Sequence, residues 1–216
     1  MGNVLVVACH NIRNELAEAF RVAGTGFPTL FVPRNMHLHP DRLREYLQGV
    51  LDNLINVDTV LLPMGRCGNS TIGLHSSQAR LVLPQCDDCI DIMLGDGPDA
   101  GRSVYSYYLT ENWLGESYSI DVEYLRTIER FGAEKADSLM REIYQNYESF
   151  TFMDTGTYEV SDALTRIQPL ADTLSMRVDC VSCSFQLLKN MLSLELEKGF
   201  IVLEPGEVVT EEHFRR

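Results

Sequence analysis

Apolar residues along the first half of the chain alternate between the patterns of buried strands and of amphipathic helices. Helical spacing of apolar residues follows the first strand, from Ile12 to Phe20, and places Leu43, Leu47 and Leu51 on one face of a second helix. The strand-like runs are NVLVVAC, PTLFVP, DTVLLPMG and ARLVLP, and DDCIDIMLG predicts a short helix. Strands joined by helices through short connections predict a parallel sheet that is covered on both faces.

The second half repeats this alternation. Gly132 breaks a long helical pattern into two helices, and the remaining segments again read as strand and helix in turn. These segments are SVYSYYL, SFTFMDTG, DALTRIQPLADTLSM, RVDCVSCS, FQLLKNMLSLE and GFIVLEPGE. The pattern predicts an α/β fold with an open, three-layer, Rossmann-like parallel sheet. We expect a single domain over residues 1–216, in which two similar halves would meet near residue 100.

Composition narrows the classes of partner. The chain has 216 residues, 45% of them hydrophobic, and a formal net charge of −13. An acidic surface repels nucleic acid and anionic membrane surfaces, and no apolar run is long enough to span a bilayer. We therefore expect a cytoplasmic protein that acts on a small-molecule substrate, without nucleic-acid or membrane partners, and that could form a homodimer. Cysteines in that compartment are typically reduced thiols or metal ligands.

Four cysteines lie just after predicted strands. Cys9 ends the first strand, Cys67 follows VLLPMG, and Cys86 and Cys89 follow LVLP. Because the carboxyl ends of parallel strands lie at one edge of a sheet, where ligands of such folds bind, these thiols could converge to bind a metal. Each cysteine taken alone is equally compatible with a small buried core residue.

The Cys86-Asp-Asp-Cys89 spacing is shared by zinc knuckles, redox dithiols and iron–sulfur loops. A thiolate at a helix start is stabilised by the helix, but Asp87 and Asp88 oppose thiolate formation. Bound cations reduce that repulsion, so the motif favours a metal. A second pair, Cys180 and Cys183, is too distant in sequence for a zinc-ribbon arrangement.

Other polar residues near these cysteines are candidates for supporting roles. Glu15 could face the site as a base or a ligand, or lie in solvent. His37 and His39 share a face if their segment is extended, and they could bind metal, cap the next helix or contact substrate. Gly68 and Asn69 allow the tight backbone that lets a loop approach a cofactor closely. We predict Glu15 and His39 as catalytic residues and Gly68 and Asn69 as cofactor-binding residues.

No nucleotide-binding or nucleophile-elbow motif is present in the sequence. The glycine-containing segment GDGPDAG, residues 95–101, predicts a surface turn rather than a phosphate cradle.

Six features carry a family resemblance: the cysteine-terminated first strand, LHPDRL, GRCGN, LVLPQCDDCIDIMLG, YYLTENWL and GFIVLEPGE. Together they resemble the domain of unknown function 1638 family of methanogens and anaerobic bacteria. The resemblance implies a three-cysteine site at Cys9, Cys67 and Cys89. It leaves Cys86 as an optional fourth ligand. Where relatives often have histidine before the Asp-Cys pair, this chain has Asp87. The family's association with corrinoid-dependent methyltransferases implies anaerobic one-carbon metabolism.

Three functional hypotheses follow. The first is a metal–thiolate enzyme or accessory protein, with an iron–sulfur cluster or zinc and a position open to substrate. The second is a metal-free binding protein that serves a corrinoid protein or a methyltransferase. The third is an acid–base enzyme, similar to racemases, that uses Cys67 and Cys183 as a thiol pair.

Overall fold

The computed structural model describes residues 2–95 and 101–215. The chain divides into two compact units, the first formed by Met1–Ala100 with Ser184–Arg216 and the second by Gly101–Cys183. The predicted surface turn of GDGPDAG falls on residues 96–100 and so lies largely outside the described residues.

The first unit is built on a five-stranded sheet with the order β2-β1-β3-β4-β8. Its strands are β1 (Val4–Cys9), β2 (Thr29–Val32), β3 (Thr59–Leu61), β4 (Arg80–Pro84) and β8 (Phe200–Leu203). Its helices are α1 (Arg13–Ala23), α2 (Pro40–Asp52), α3 (Cys89–Leu94) and α7 (Gln186–Leu192). The first four strands are parallel, as predicted, but β8 runs antiparallel to β4.

The central strands of this sheet are buried on both faces. Val7 packs on one face with the apolar stripe of α2, formed by Leu43, Leu47 and Leu51. Val6 and Ala8 point to the opposite face and are also fully buried. Helix α7 packs against α1 and α3. Strands that are buried on both faces explain the continuous apolar runs in the sequence.

The second unit contains a three-stranded parallel sheet with the order β5-β6-β7. Its strands are β5 (Ser106–Leu109), β6 (Ser149–Asp154) and β7 (Arg177–Ser182), and its helices are α4 (Ile120–Phe131), α5 (Ala133–Ile143) and α6 (Val160–Leu174). Residues of all three helices share one apolar cluster with Phe150 and Phe152 of the central strand. Gly132 separates α4 from α5 with a positive φ of 81°, which confirms the predicted break.

The two sheets with their flanking helices confirm the predicted Rossmann-like α/β class. The antiparallel direction of β8 is seen in its pairing with β4, where Leu81 lies opposite Leu203 and Pro84 opposite Phe200. The chain leaves α7, crosses a short turn at Gly199, and pairs β8 with the outer side of β4. The segment after β8 continues along this unit, where Val209 and Leu74 are joined by a backbone hydrogen bond of 2.8 Å.

Candidate metal centre

Three neighbouring strands of the first unit deliver cysteines to one edge of the sheet. Cys9 is the last residue of β1, Cys67 lies in the loop after β3, and Cys86 and Cys89 follow β4. Since β1, β3 and β4 are adjacent and parallel, their carboxyl ends lie side by side. We call these four cysteines the thiol site.

The loops after β3 and β4 are joined by their backbones. The amide of Arg66 donates to the carbonyl of Cys86 at 2.8 Å, and the amide of Cys67 donates to the carbonyl of Asp87 at 2.7 Å. Gly65 makes this approach feasible, because a Cβ atom there would lie 2.5 Å from the Cys86 carbonyl oxygen. Cys67 is therefore held beside the segment that carries the other two cysteines.

The loop that carries Cys67 is left-handed over three consecutive residues. The φ angles of Cys67, Gly68 and Asn69 are 46°, 64° and 71°, and the amide of Ser70 donates to the Cys67 carbonyl at 3.2 Å. Such angles are unfavourable for side chains other than glycine and asparagine, so the surrounding contacts must maintain them at Cys67. The sequence prediction of a tight left-handed backbone is confirmed.

Gly68 and Asn69 lie against α2. A Cβ atom on Gly68 would approach the Pro40 ring at 3.2 Å, and the Arg44 guanidinium donates to the Asn69 carbonyl at 3.4 Å. These contacts explain why the loop is compact. The role of Gly68 and Asn69 in cofactor binding stays a prediction.

Burial and neighbouring anions hold the thiols in their protonated form. The pKa of Cys67 is raised to about 12, mainly by burial and then by the charges of Cys9 and Asp88. Burial also raises the pKa of Cys89 well above its usual value, followed by the effects of Asp88 and the other three thiols. The pKa of Cys86 is raised well above its usual value by burial, then by Asp91 and Cys67. The thiols thus lie near enough to influence one another.

Backbone amides oppose this effect at two of the cysteines. Burial raises the pKa of Cys9, whereas a hydrogen bond from the Asn11 backbone lowers it. A hydrogen bond from the Gly65 backbone likewise lowers the pKa of Cys67. Amide N–H groups stabilise the thiolate over the thiol, and the thiolate is the form that binds metal.

Two carboxylates of the Cys89 segment are fixed by backbone amides. Asp88 caps the start of α3 by accepting from the Ile90 amide at 2.9 Å. Asp91, only 5% exposed, accepts from the Asp87 amide at 3.0 Å. The opposition of Asp88 to thiolate formation was predicted from the sequence, whereas the contribution of Asp91 was not. Its apolar neighbours Ile90 and Ile92 were the one signal that this aspartate is buried.

The donor set suits a soft metal, since thiolates are the preferred ligands of zinc, copper(I) and iron–sulfur clusters. Cys9, Cys67 and Cys89 are partly exposed, whereas Cys86 is buried at 2% exposure. Across residues 2–95 and 101–215, however, no three Cys, His, Asp or Glu side chains are already grouped to hold a metal ion. The cysteines thus fit a soft metal by their chemistry and by their position at adjacent strand ends.

Glu15 lies in the first turn of α1, close in sequence to Cys9, and its side chain is fully buried. The solvent-exposed alternative for this residue is wrong, because α1 turns that face towards the core formed with Leu16 and Ala19. Its role as a base or ligand stays a prediction.

The extended geometry expected for the two histidines is wrong. His37 lies in a 3-10 helix, Met36–Leu38, and His39 follows it as the exposed residue before α2. Spacing by two residues places side chains on one face only in an extended strand. The His39 side chain makes no capping hydrogen bond to α2, although its backbone carbonyl accepts from the Leu43 amide at 2.9 Å. The catalytic role of His39 stays a prediction.

The remaining cysteines belong to the second unit. Cys180 is exposed within β7, and Cys183 directly follows that strand, where its amide donates to the Asp154 carbonyl at 2.8 Å. Burial and then Asp154 raise the pKa of Cys180. Cys67 and Cys183, the pair of the racemase hypothesis, are thus found in different units.

Within the described ranges, no helix combines the length and apolar character needed to cross a membrane. No curated protein and no solved structure matches the chain. The sequence model of a protein family of unknown function, DUF1638, matches residues 31–192. The match includes Cys67, Cys86 and Cys89 and begins after Cys9. Because it spans more than half of the sequence, this chain belongs to the DUF1638 family.

Proposed function

We propose that this chain is a cytoplasmic metal–thiolate protein in which Cys9, Cys67 and Cys89 bind an iron–sulfur cluster or zinc. The observation that carries the proposal is the delivery of thiols by three adjacent strand ends of one sheet. Their mutual effect on pKa supports the same conclusion. Cys86 is the optional fourth ligand. With three protein ligands, one coordination position would be open to a small-molecule substrate.

The residues of the site would have separate roles. The amides of Asn11 and Gly65 would stabilise the thiolates of Cys9 and Cys67. The backbone hydrogen bond between Cys67 and Asp87 would fix the spacing of the loops after β3 and β4. Glu15, buried in the first turn of α1, is the candidate to accept a proton from a substrate or ligand. His39, which is exposed before α2, is the second candidate for a catalytic role. When bound, the metal would supply Lewis acidity, stabilisation of a substrate thiolate, or electron transfer.

The biological setting rests on the family resemblance rather than on the geometry of the site. The association of relatives with corrinoid-dependent methyltransferases leads us to propose a role in anaerobic one-carbon metabolism. The partner of this chain would be a corrinoid protein or a methyltransferase. The chain itself would be an enzyme of methyl transfer or of redox chemistry.

Anaerobic purification tests the metal centre directly. We expect stoichiometric zinc, or iron with acid-labile sulfide and a visible absorption band. Serine substitution of Cys9, Cys67 or Cys89 should each reduce the metal content, whereas C180S in the second unit should not. Colourless, metal-free and normally folded protein after anaerobic purification would refute the proposal.

A metal-free accessory protein is the second candidate. It is favoured by the lack of a preformed metal-binding group in the described part of the chain. In that case the thiols are core residues, and the acidic surface would bind the partner. The triple variant C9S/C67S/C89S separates the two candidates, because an accessory protein should retain its binding to a corrinoid protein without these thiols.

A further inference from the structure

Strand β7 forms one edge of the three-stranded sheet of the second unit, where β6 is its neighbour. It has six residues, whereas the other edge strands of the two sheets, β2, β5 and β8, have four each. Most of its side chains are exposed, namely those of Arg177, Asp179, Cys180 and Ser182. A long, exposed edge is a template for pairing with another chain, so β7 is the edge best suited to extend its sheet.

Alternate residues of β7 direct their backbone groups away from β6. The amide of Arg177 donates to the carbonyl of Glu148 at 2.9 Å. Just beyond the strand, the amide of Cys183 donates to the carbonyl of Asp154 at 2.8 Å. The odd-numbered residues thus bond to β6, and the residues that face outward are Val178, Cys180 and Ser182. Among the described residues, no backbone group lies within hydrogen-bond distance of these outward amides and carbonyls.

Two opposite charges lie on one face of this edge. Arg177 and Asp179 are two residues apart, so their side chains point to the same face of the sheet. The side chain of Arg177 is 71% exposed and lies 3.8 Å from the Glu148 carboxylate. Asp179 is exposed, and no ion pair holds it within the described part of the chain. Both charges are therefore accessible to a partner of complementary charge.

The order of these charges makes the edge complementary to itself. Two antiparallel copies of β7 exchange backbone hydrogen bonds where outward-facing residues lie opposite each other. A two-fold axis at Val178 meets this condition and places Arg177 opposite Asp179 of the partner subunit, twice. An axis at Asp179 would place two carboxylates opposite each other, which is unfavourable. An axis at Cys180 would place Asp179 opposite Val181 and form no ion pair.

The register at Val178 also uses the unpaired backbone groups. The Val178 residues of the two copies would bond to each other, and each Cys180 amide would donate to the carbonyl of Met176 of the partner subunit. The amide of Met176 already donates to the Ala171 carbonyl at 2.9 Å, so the pairing would end there.

We propose that this chain self-associates through β7, which pairs antiparallel with β7 of a second copy about a two-fold axis at Val178. The two three-stranded sheets would then form one continuous sheet. The inference gives a surface to the homodimer expected from the sequence. It does not depend on a metal at the thiol site.

Charge reversal tests this surface in the full-length protein. Sedimentation velocity over a series of concentrations should show a monomer–dimer equilibrium. The buffer contains about 0.15 M salt, which screens the long-range repulsion between two copies of net charge −13. Arg177→Glu and Asp179→Lys each place like charges opposite each other in both pairs and should weaken dimerisation by about ten-fold or more. The double variant restores opposite charges in both pairs and should recover the dimer.

The two single variants should also complement each other. A chain with Arg177→Glu has two acidic residues at these positions, and a chain with Asp179→Lys has two basic residues. An equimolar mixture should therefore dimerise more strongly than either variant alone. Glu142→Lys, on the exposed surface of α5, is the matched control, because it changes the net charge as Asp179→Lys does and should leave dimerisation unchanged.

Circular dichroism verifies that each variant is folded. Unmodified protein that stays monomeric at every concentration would overturn the inference and leave the edge to a different protein. A dimer that both single variants leave intact lies on another surface, which overturns it equally. Loss of the dimer in the folded single variants, without recovery in the double variant or in the mixture, would refute the register at Val178.

Discussion

The backbone amide of Cys67 lies 2.7 Å from the carbonyl oxygen of Asp87 and donates a hydrogen bond to it. This bond lies beyond the ends of β3 and β4 and extends the pairing of these strands into their loops. Together with the bond from Arg66 to Cys86, it holds the loop of Cys67 against the segment that carries Cys89. Substitutions that separate the loops should disturb the thiol site without removing a cysteine.

Gly65→Ala is the most direct such substitution. The new Cβ would lie 2.5 Å from the Cys86 carbonyl oxygen, so the loops must move apart. We expect a loss of roughly 1–3 kcal/mol in the free energy of unfolding, together with weaker metal binding. Denaturant unfolding and metal titration measure the two effects.

Gly49→Ala provides the control for that variant. Gly49 lies within α2, and, apart from its chain neighbours and the backbone of the helix itself, no atom lies within 4 Å of the added Cβ. Alanine is favoured over glycine inside a helix by about 0.5–1 kcal/mol, so this variant should be slightly more stable and bind metal normally. Equal behaviour of the two variants would contradict the role assigned to the contact between the loops.

Arsenite tests the convergence of the thiols independently of any biological metal. Trivalent arsenic forms bonds to three thiol sulfurs, with loss of its hydroxyl groups as water, and binds tightly only when the three sulfurs can meet. We expect one arsenic atom per chain by mass spectrometry under non-denaturing conditions.

Single serine variants identify the sulfurs involved. C9S, C67S and C89S should each weaken arsenite binding by at least about ten-fold, because a two-thiol adduct is less stable. C180S should not change it, since Cys180 lies in the second unit. Full-strength binding by C9S would show that the thiol from β1 does not reach the other two.

The aromatic cluster of the second unit should make stability sensitive to alkali. Tyr107 packs edge-on against Tyr144, Tyr147 and Phe150. Burial raises the pKa of Tyr107 to about 12, and Tyr147 and Glu123 add to the shift. The pKa of Tyr144 is raised by burial and by its hydrogen bond to Glu123 at 2.7 Å.

The sign of this effect follows from proton binding. Between about pH 10, where an unfolded tyrosine is half ionised, and about pH 12, the folded state binds more protons than the unfolded state. The stabilisation is thus fully present well below pH 10 and is lost as the pH rises towards 12. Tyr107→Phe should flatten this alkaline decline in thermal unfolding, with the exposed Tyr105→Phe as the matched control. An identical decline in both variants would contradict the assignment.

Much of the fold could be predicted because its signals are local. Runs such as NVLVVAC are apolar since β1 is buried on both faces, and Gly132 marks a helix break through its backbone conformation. The direction of β8 could not be predicted in this way. The apolar run FIVL suits a parallel or an antiparallel strand, and only its pairing with β4 determines the direction.

Some features of the candidate site could likewise be predicted from local sequence patterns, and others could not. The positions of Cys9 and Cys67 follow from the rule that parallel strands end at one edge, so sequence patterns located both. The burial of Glu15 and Asp91 depends on which face of each helix meets the core. Because charged residues usually lie in solvent, the residue type alone suggests exposure at both positions. The extended geometry of His37 and His39 could not be ruled out from the sequence, because so short a segment shows no periodicity that separates a 3-10 turn from a strand.

The late position of β8 in the chain has a consequence for biosynthesis. As the protein leaves the ribosome, β1 to β4 can pair as soon as they are made, but β8 begins only at Phe200. Until then, the outer edge of β4 has unpaired backbone groups, and edges of this kind promote aggregation. The second unit, whose strands all lie within Gly101–Cys183, can complete its sheet earlier. Release of a nascent chain before residue 200 would therefore leave the cysteine-bearing sheet as the part most in need of a chaperone.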